Sequence, residues 1–367
     1  MASSKLFEPI AVGRCLLRHR IVMAPMTRNR ASDEHVPTDM MIEYYRQRAS
    51  TPGTLIITEG TIVSPKAGGF PRVPGIWSQE QIKAWKKITD VVHAKGSFIW
   101  LQIAGLGRSA SPDLLAAQDI PYTGVSAIQH PDHPFPPREL TVLEIKSFID
   151  DFSTAARNAI DAGFDGIEVH GANGFLVDQF LQTTTNTRKD EYGGSVENRI
   201  RFVVELIDAI AGAIGEERTA LRLSPWNVSQ NMGMPDPIPT FETLVKRIDS
   251  KYPRLGYIHV TEPDAYGKDI FKVERSNAFV DAVRLPRPVI HAGGFNRETA
   301  LEATKVEGVL IAFATDFLSN PDLPDRLRKG ADLTPADRKT FYGGNEVGYI
   351  DYPFAAEAAS AVSVPVL

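Results

Sequence analysis

The sequence predicts an α/β protein built as one closed (β/α)8 TIM barrel, with an N-terminal cap and a loop inserted after the third strand. Two observations carry this prediction. Eight short apolar runs recur along the chain, rich in β-branched residues and ending at Gly, Pro or polar clusters: RIVMAPMT (20–27), TLIITEG (54–60), SFIWLQI (97–103), GIEVHG (166–171), TALRLSP (219–225), YIHVTEP (257–263), PVIHAGG (288–294) and GVLIAFATD (308–316). Between them lie stretches with apolar positions three and four residues apart, such as QEQIKAWKKITDVVHAK (79–95), EIKSFIDDFSTAARNAIDAG (144–163) and VENRIRFVVELIDAIAGAIG (196–215). Strands that are apolar throughout, rather than in alternation, are expected where both faces of a parallel sheet are covered. No G-x-G-x-x-G follows the first run, and eight repeats suit closure better than an open doubly wound sheet.

The elements then fall in order. The 367 residues are expected to form a single domain, with barrel strands spanning about 20–316. The first 19 residues should form a hairpin or plug across the N-terminal mouth of the barrel. The insertion at about 104–140, Pro- and Asp-rich from 109, should emerge at the C-terminal face and cover a substrate. A tail from about 332 to 367 does not fit the repeat.

Composition narrows the partners. The formal charge is −5 with the signs interspersed, so no footprint for nucleic acid is visible, and small molecules are the expected partners. Cys15 is the only cysteine, which excludes an intramolecular disulfide and a cysteine-based zinc site. The start MASSKLFEPI shows no leader pattern, so a reducing, cytoplasmic setting is expected. No apolar run approaches the roughly 18 residues that suggest a membrane span.

Barrel enzymes work at the C-terminal ends of their strands. The residues closing the runs are Thr27, Glu59 with Gly60, Gln102, His170 with Asn173, Arg222, Glu262, and the pair Gly293 and Gly294. A metal has no support, since there is no H-E-x-x-H and His170 stands as a lone imidazole. A glycosidase needs two carboxylates facing one site, for which Glu59 and Glu262 are the candidates. A Gln, an Arg and a Thr converging from different strands, with a Gly-Gly turn at the usual barrel phosphate site, suit a flat polar heterocycle carrying a phosphate better. Blander readings stand beside these: His170 as a core histidine, Gln102 as a strand cap, Arg222 as the ion-pair partner of Glu59 or Glu262, and Asp190 and Arg199 as fixers of the loop and helix after the fourth strand.

From LFEPI at residue 6 to GYIDYP at 348–353 the chain resembles the old yellow enzyme family of FMN-dependent ene-reductases, on APMTR (24–28), ITEG (57–60), HGANGF (170–175), DEYGGSVENR (190–199), LRLSP (221–225) and SNPDL (319–323). Within it the chain is most similar to the fungal secondary-metabolism branch of chanoclavine aldehyde reductases and isomerases. The resemblance implies that Thr27 bonds the flavin carbonyl near N5, that Pro25, Met26 and Gly60 line the ring, that Gln102 reads its pyrimidine edge and that Arg222 sits near N1 and O2. It implies that His170 and Asn173 donate to a substrate carbonyl oxygen, that Tyr349 lies at the pocket mouth, and that NADPH alternates with substrate in one pocket. It also implies a monomer or a homodimer. The stretch from Trp226 to Met234 should help to shape the pocket.

Three positions depart from the family pattern. Phe175 stands where the family has its proton-donating tyrosine, and phenylalanine has no acidic hydrogen. Ala314 and Thr315 stand where a Gly-Arg pair grips the FMN phosphate, which removes a charge-assisted contact. Ala104 replaces a bulky aromatic, so the pocket is expected to be wider there. Three functions follow from the departures: a reductase that draws its proton from another source, a redox-neutral flavin-dependent isomerase, or a flavin-free cyclase or binding protein.

Overall fold

In a computed structural model, which describes residues 4–263 and 274–355, eight parallel strands close into a barrel. They are β1 (Ile21–Met23), β2 (Leu55–Ile57), β3 (Phe98–Ala104), β4 (Gly166–Gly171), β5 (Thr219–Leu223), β6 (Tyr257–Thr261), β7 (Val289–Ala292) and β8 (Val309–Phe313). Each pairs with the next in sequence, and β8 returns to β1 through Ile311 opposite Ile21. All eight expected runs therefore became barrel strands.

The helices that cover them are α1 (Asp39–Arg48), α2 (Gln79–Ala94), α3 (Val142–Asp161), α4 (Val196–Ile214), α5 (Ile238–Lys251), α6 (Ala278–Arg284), α7 (Arg297–Ala303) and α8 (Leu323–Lys329). Their starts are written in the sequence. Ser78 with Gln81 and Thr141 with Glu144 form reciprocal capping boxes on α2 and α3. In DEYGGSVENR, Asp190 Oδ1 accepts the Tyr192 N–H and pairs with Arg188, Ser195 caps α4, and Arg199 donates to the Leu181 carbonyl. The motif is thus the hinge between β4 and α4, the structural role expected for Asp190 and Arg199.

Alternation along each strand divides the core in two. Outward side chains pack under the helices, while Val22, Leu55, Trp100, Ala220, Tyr257, Ile290 and Leu310 fill the barrel interior. The N-terminal hairpin, Ile10–Val12 paired with Cys15–Leu17, adds Val12, Cys15 and Leu17 to that inner cluster and so is the expected plug. Bulky Trp100 and Tyr257 contrast with Ala24, Ala292 and Ala312, which border a cavity at the C-terminal end.

The tail is held from below. Arg28 Nε donates to the Phe341 carbonyl (3.0 Å) and its Nη2 to that of Gly348 (2.8 Å), while Arg30 reaches the carbonyls of Thr340, Phe341, Asn345 and Val347. Tyr349 stacks on Tyr44 at 4.1 Å with the rings nearly parallel.

Candidate active site

Strand register stacks the polar residues. Inside the barrel Gln102 on β3 lies opposite Glu168 on β4, and Arg222 on β5 lies opposite both His170 on β4 and His259 on β6. Because side chains alternate, Glu168 and His170 point the same way, one step apart along β4.

At this level opens a cavity of about 370 Å3. It is bordered by Pro25, Met26 and Thr27 from the β1 end, by Gln102, His170, Asn173, Phe175 and Arg222, and by Ala314 and Thr315 after β8. A second cavity of about 290 Å3 shares Arg222, Ala314 and Thr315 with it and reaches the turn at Gly293 and Gly294. Both glycines have positive φ, 114° and 74°, the region that favours glycine. Gly60 lies behind the wall: a Cβ there would stand 3.5 Å from Gln102 Oε1 and 3.8 Å from both the Ala104 Cβ and His170 Cδ2. Ala104 itself is buried beside Gly60 and is not on the cavity wall.

Each donor has a defined state. Burial, reinforced by Arg222 and His259, pushes the His170 imidazole well below its usual pKa, and its Nδ1 has no partner, so the ring is neutral with a single N–H. Asn173 is held in the left-handed region (φ 60°), which asparagine tolerates, and its backbone N–H donates to Ser224 Oγ (2.8 Å). The following Gly174 N–H donates to Asp178 Oδ2 (2.9 Å), whose carboxyl burial raises to about 7. Gln102 Nε2 donates to Glu168 Oε1 (2.7 Å), so the other end of this amide, the acceptor oxygen, stays available to the cavity. Arg222 Nε is buried without a partner, and the guanidinium forms no ion pair with Glu59 or Glu262 among the described residues.

Those two carboxylates do not share a site. Glu59 accepts the Arg28 N–H (3.3 Å) and the Tyr45 hydroxyl (3.5 Å), with burial raising it to about 7, whereas Glu262 lies against His291 (2.6 Å). Two pocket expectations also need correction. Trp226 is buried with its indole N–H donated to Asn277 Oδ1 (2.9 Å), and Tyr349 is buried against Tyr44; neither borders the cavity. The insertion 109–140 does not form the wall either, because Ser109 and Arg108 are spent on fixing Gln230. The wall comes instead from Ser229 and Gln230, inside the stretch 226–234 expected to shape the pocket, and from two tail residues the sequence did not single out, Phe341 and Tyr342. Gln230 is left-handed (φ 57°), and its only local signal is the neighbouring Asn and Gly of SQNMG. Tyr266, a candidate for the acid that Phe175 cannot supply, lies outside the described residues.

The arrangement fits a flavin ring: an orphaned buried guanidinium, an amide oxygen able to accept a ring N–H, and a threonine hydroxyl border one slot, continuous with a glycine-walled compartment for a polar tail. Residues 5–334 match the NADH:flavin oxidoreductase / NADH oxidase family. The chain belongs to this family, that of the old yellow enzymes. Across 98% of its length it is 47% identical to the chanoclavine-I aldehyde reductase fgaOx3 of Penicillium roqueforti, covering 99% of that protein. It is 46% identical to the NADP-dependent oxidoreductase lnbE of Aspergillus flavus, over 99% of this chain and 100% of that one. The solved old yellow enzyme from Pichia sp. AKU4542 superposes with a TM-score of 0.90 at 36% identity, covering 97% of this chain and 95% of that one. This old yellow enzyme relative is an oxidoreductase of the FMN class, and among its described residues no helix is long and apolar enough to cross a membrane.

Proposed function

We propose that the protein reduces the carbon–carbon double bond of an α,β-unsaturated carbonyl compound, a fungal secondary metabolite, with electrons from NADPH. The observation that supports this best is the pairing of a neutral, buried His170 with Asn173 on one cavity wall, two donors three residues apart with no acid between them. A carbonyl oxygen gains negative charge as its β-carbon accepts a hydride, and donors fixed in advance at that oxygen stabilise the transition state more than the ground state. Bound FMN supplies the hydride and is recharged by NADPH. Thr27, Gln102 and Arg222 would hold the ring and Met26 and Pro25 would border it, while the apolar edge of Phe175 against His170 (4.9 Å between ring centres) keeps water off the imidazole. Since Phe175 offers no proton, the α-carbon takes its proton from solvent at the mouth. The relative named an aldehyde reductase makes an unsaturated aldehyde the first substrate class to test.

The test is NADPH oxidation by the FMN-loaded protein with a panel of enals and enones, with deuterium from labelled NADPH followed into the product. Label at the β-carbon is expected. No NADPH consumption with any activated alkene overturns the reading. Phe175 supports a second one, a redox-neutral isomerase in which an intermediate persists because no neighbouring acid quenches it. It predicts rearranged substrate, only catalytic need for reductant, and no label in the product.

A further inference from the structure

Glu168 does not border the cavity, yet it touches what does. Its Oε1 accepts from Gln102 Nε2 at 2.7 Å and its Oε2 from His259 Nδ1 at 2.8 Å, and both Glu168 and His259 are fully buried. We propose that Glu168 is a positioning residue for the flavin, locking Gln102 with its carbonyl oxygen toward the ring and offsetting the charge of Arg222 so that it sets the reduction potential of the bound cofactor. This inference rests on the flavin-binding reading of the site.

The argument begins with donor counting. A carboxylate can only accept, so the end of the Gln102 side chain facing Glu168 must be the NH2, which leaves the oxygen as the free end. The second carboxylate oxygen is fixed by His259, whose Nδ1 must then carry the proton; its Nε2 has no partner, and burial keeps the ring neutral. Glu168 is therefore held from two sides and cannot swing away. Burial alone would raise this carboxyl, but the hydrogen bonds donated by His259 and Gln102, with the charge of Arg222, hold it below its usual range and ionised.

The charge count follows. Among the described residues Arg222 is the only cationic side chain shared by the two cavities, and Glu168 is the buried carboxylate whose ionisation it supports. The pair presents the ring with a dipole rather than a bare cation. A bare cation beside the ring stabilises its reduced, more negative form; a compensated one does so less. A buried ion cluster of this kind contributes little net stability, so a tuning role accounts for it better than a structural one.

Glu168→Gln removes the charge with almost no change in volume, and Glu168→Asp keeps the charge while shortening its reach. Wild type and both variants are loaded with FMN and equilibrated against a redox dye, and the visible spectrum and the binding constants for FMN are recorded. The expected result is that Glu168→Gln shifts the oxidised–reduced balance toward reduced flavin by roughly tenfold, with a displaced absorption band because Gln102 is free to turn over. Glu168→Asp should retain the balance more closely while weakening FMN binding. A Glu168→Gln protein with bound flavin and an unchanged balance and spectrum overturns the proposal. If Glu168→Gln does not fold, a Glu168→Asp protein with unchanged FMN affinity and spectrum overturns it equally. Failure of wild type itself to bind FMN sinks the flavin reading and leaves a distinct signature, a colourless protein before any substitution.

Discussion

Replacing Thr315 by Arg should tighten FMN without tightening riboflavin. The tail compartment is walled by Gly293, Gly294, Ala314, Thr315 and Asp316, and among the described residues Arg222 is the only cation on its lining. Asp316 adds an acid, half buried, which burial raises above its usual range. A phosphate placed here meets amides, a hydroxyl and a carboxyl. One charge-assisted hydrogen bond from an introduced guanidinium contributes about 1.5–3 kcal/mol, which at about 1.4 kcal/mol per decade corresponds to roughly ten- to a hundredfold in affinity. Part of that gain is spent on Asp316, so Thr315→Arg combined with Asp316→Asn should show the full effect. The assay is fluorescence titration of apoprotein with FMN and with riboflavin, which lacks the phosphate. Equal gains for both ligands, or none for FMN, would refute the assignment of this compartment to the phosphate. Retention of FMN by wild type should also improve as pH falls, because protonating Asp316 removes a like charge from the phosphate.

Three further outcomes are expected. Replacing His170 and Asn173 together by Ala should abolish alkene reduction while flavin stays bound; turnover within tenfold of wild type would show that neither holds the carbonyl. Phe175→Tyr should speed reduction of simple enones by supplying an acid, and an unchanged kcat means protonation does not limit. Asp178 has its carboxyl raised by burial from 3.8 to about 7, so the native state holds this proton more tightly than the unfolded chain and its ionisation costs stability as pH rises through that window. Asp178→Asn should therefore gain on wild type in melting temperature between about pH 4 and pH 7 and run parallel above; a constant difference across that range would mean the carboxyl is ionised throughout.

The barrel was legible because each strand end carries its own punctuation and the three longest described helices their own caps: Ser78, Thr141 and Ser195 are read locally and act locally. The inward residues Gln102, His170 and Arg222 were legible for the same reason, since period-two alternation carries them to one face. What failed was distance along the chain. Tyr349 looked like a mouth residue, but the buried Arg28 and Arg30 over its ring, Arg48 on its carbonyl and the Tyr44 ring, some 300 positions earlier, draw it inward and leave Phe341 and Tyr342 at the opening. Trp226 was misplaced because its indole N–H is claimed by Asn277, a partner no local rule predicts. The insertion after β3 buttresses Gln230 instead of covering the cavity, a division of labour set by hydrogen bonds from Arg108 and Ser109 to a residue some 120 positions later.

Arg28 and Arg30 take hold of the tail almost entirely through main-chain carbonyls, at residues 340, 341, 345, 347 and 348. Every amino acid offers the same carbonyl, so these bonds do not depend on which side chains stand at positions 345 and 347. The entrance to the cavity can therefore be rewritten at Tyr342, whose side chain neither arginine touches, without loosening the strap that holds it or disturbing the donors beneath. A scaffold wired in this way can drift from one bulky metabolite to another while its chemistry stays fixed.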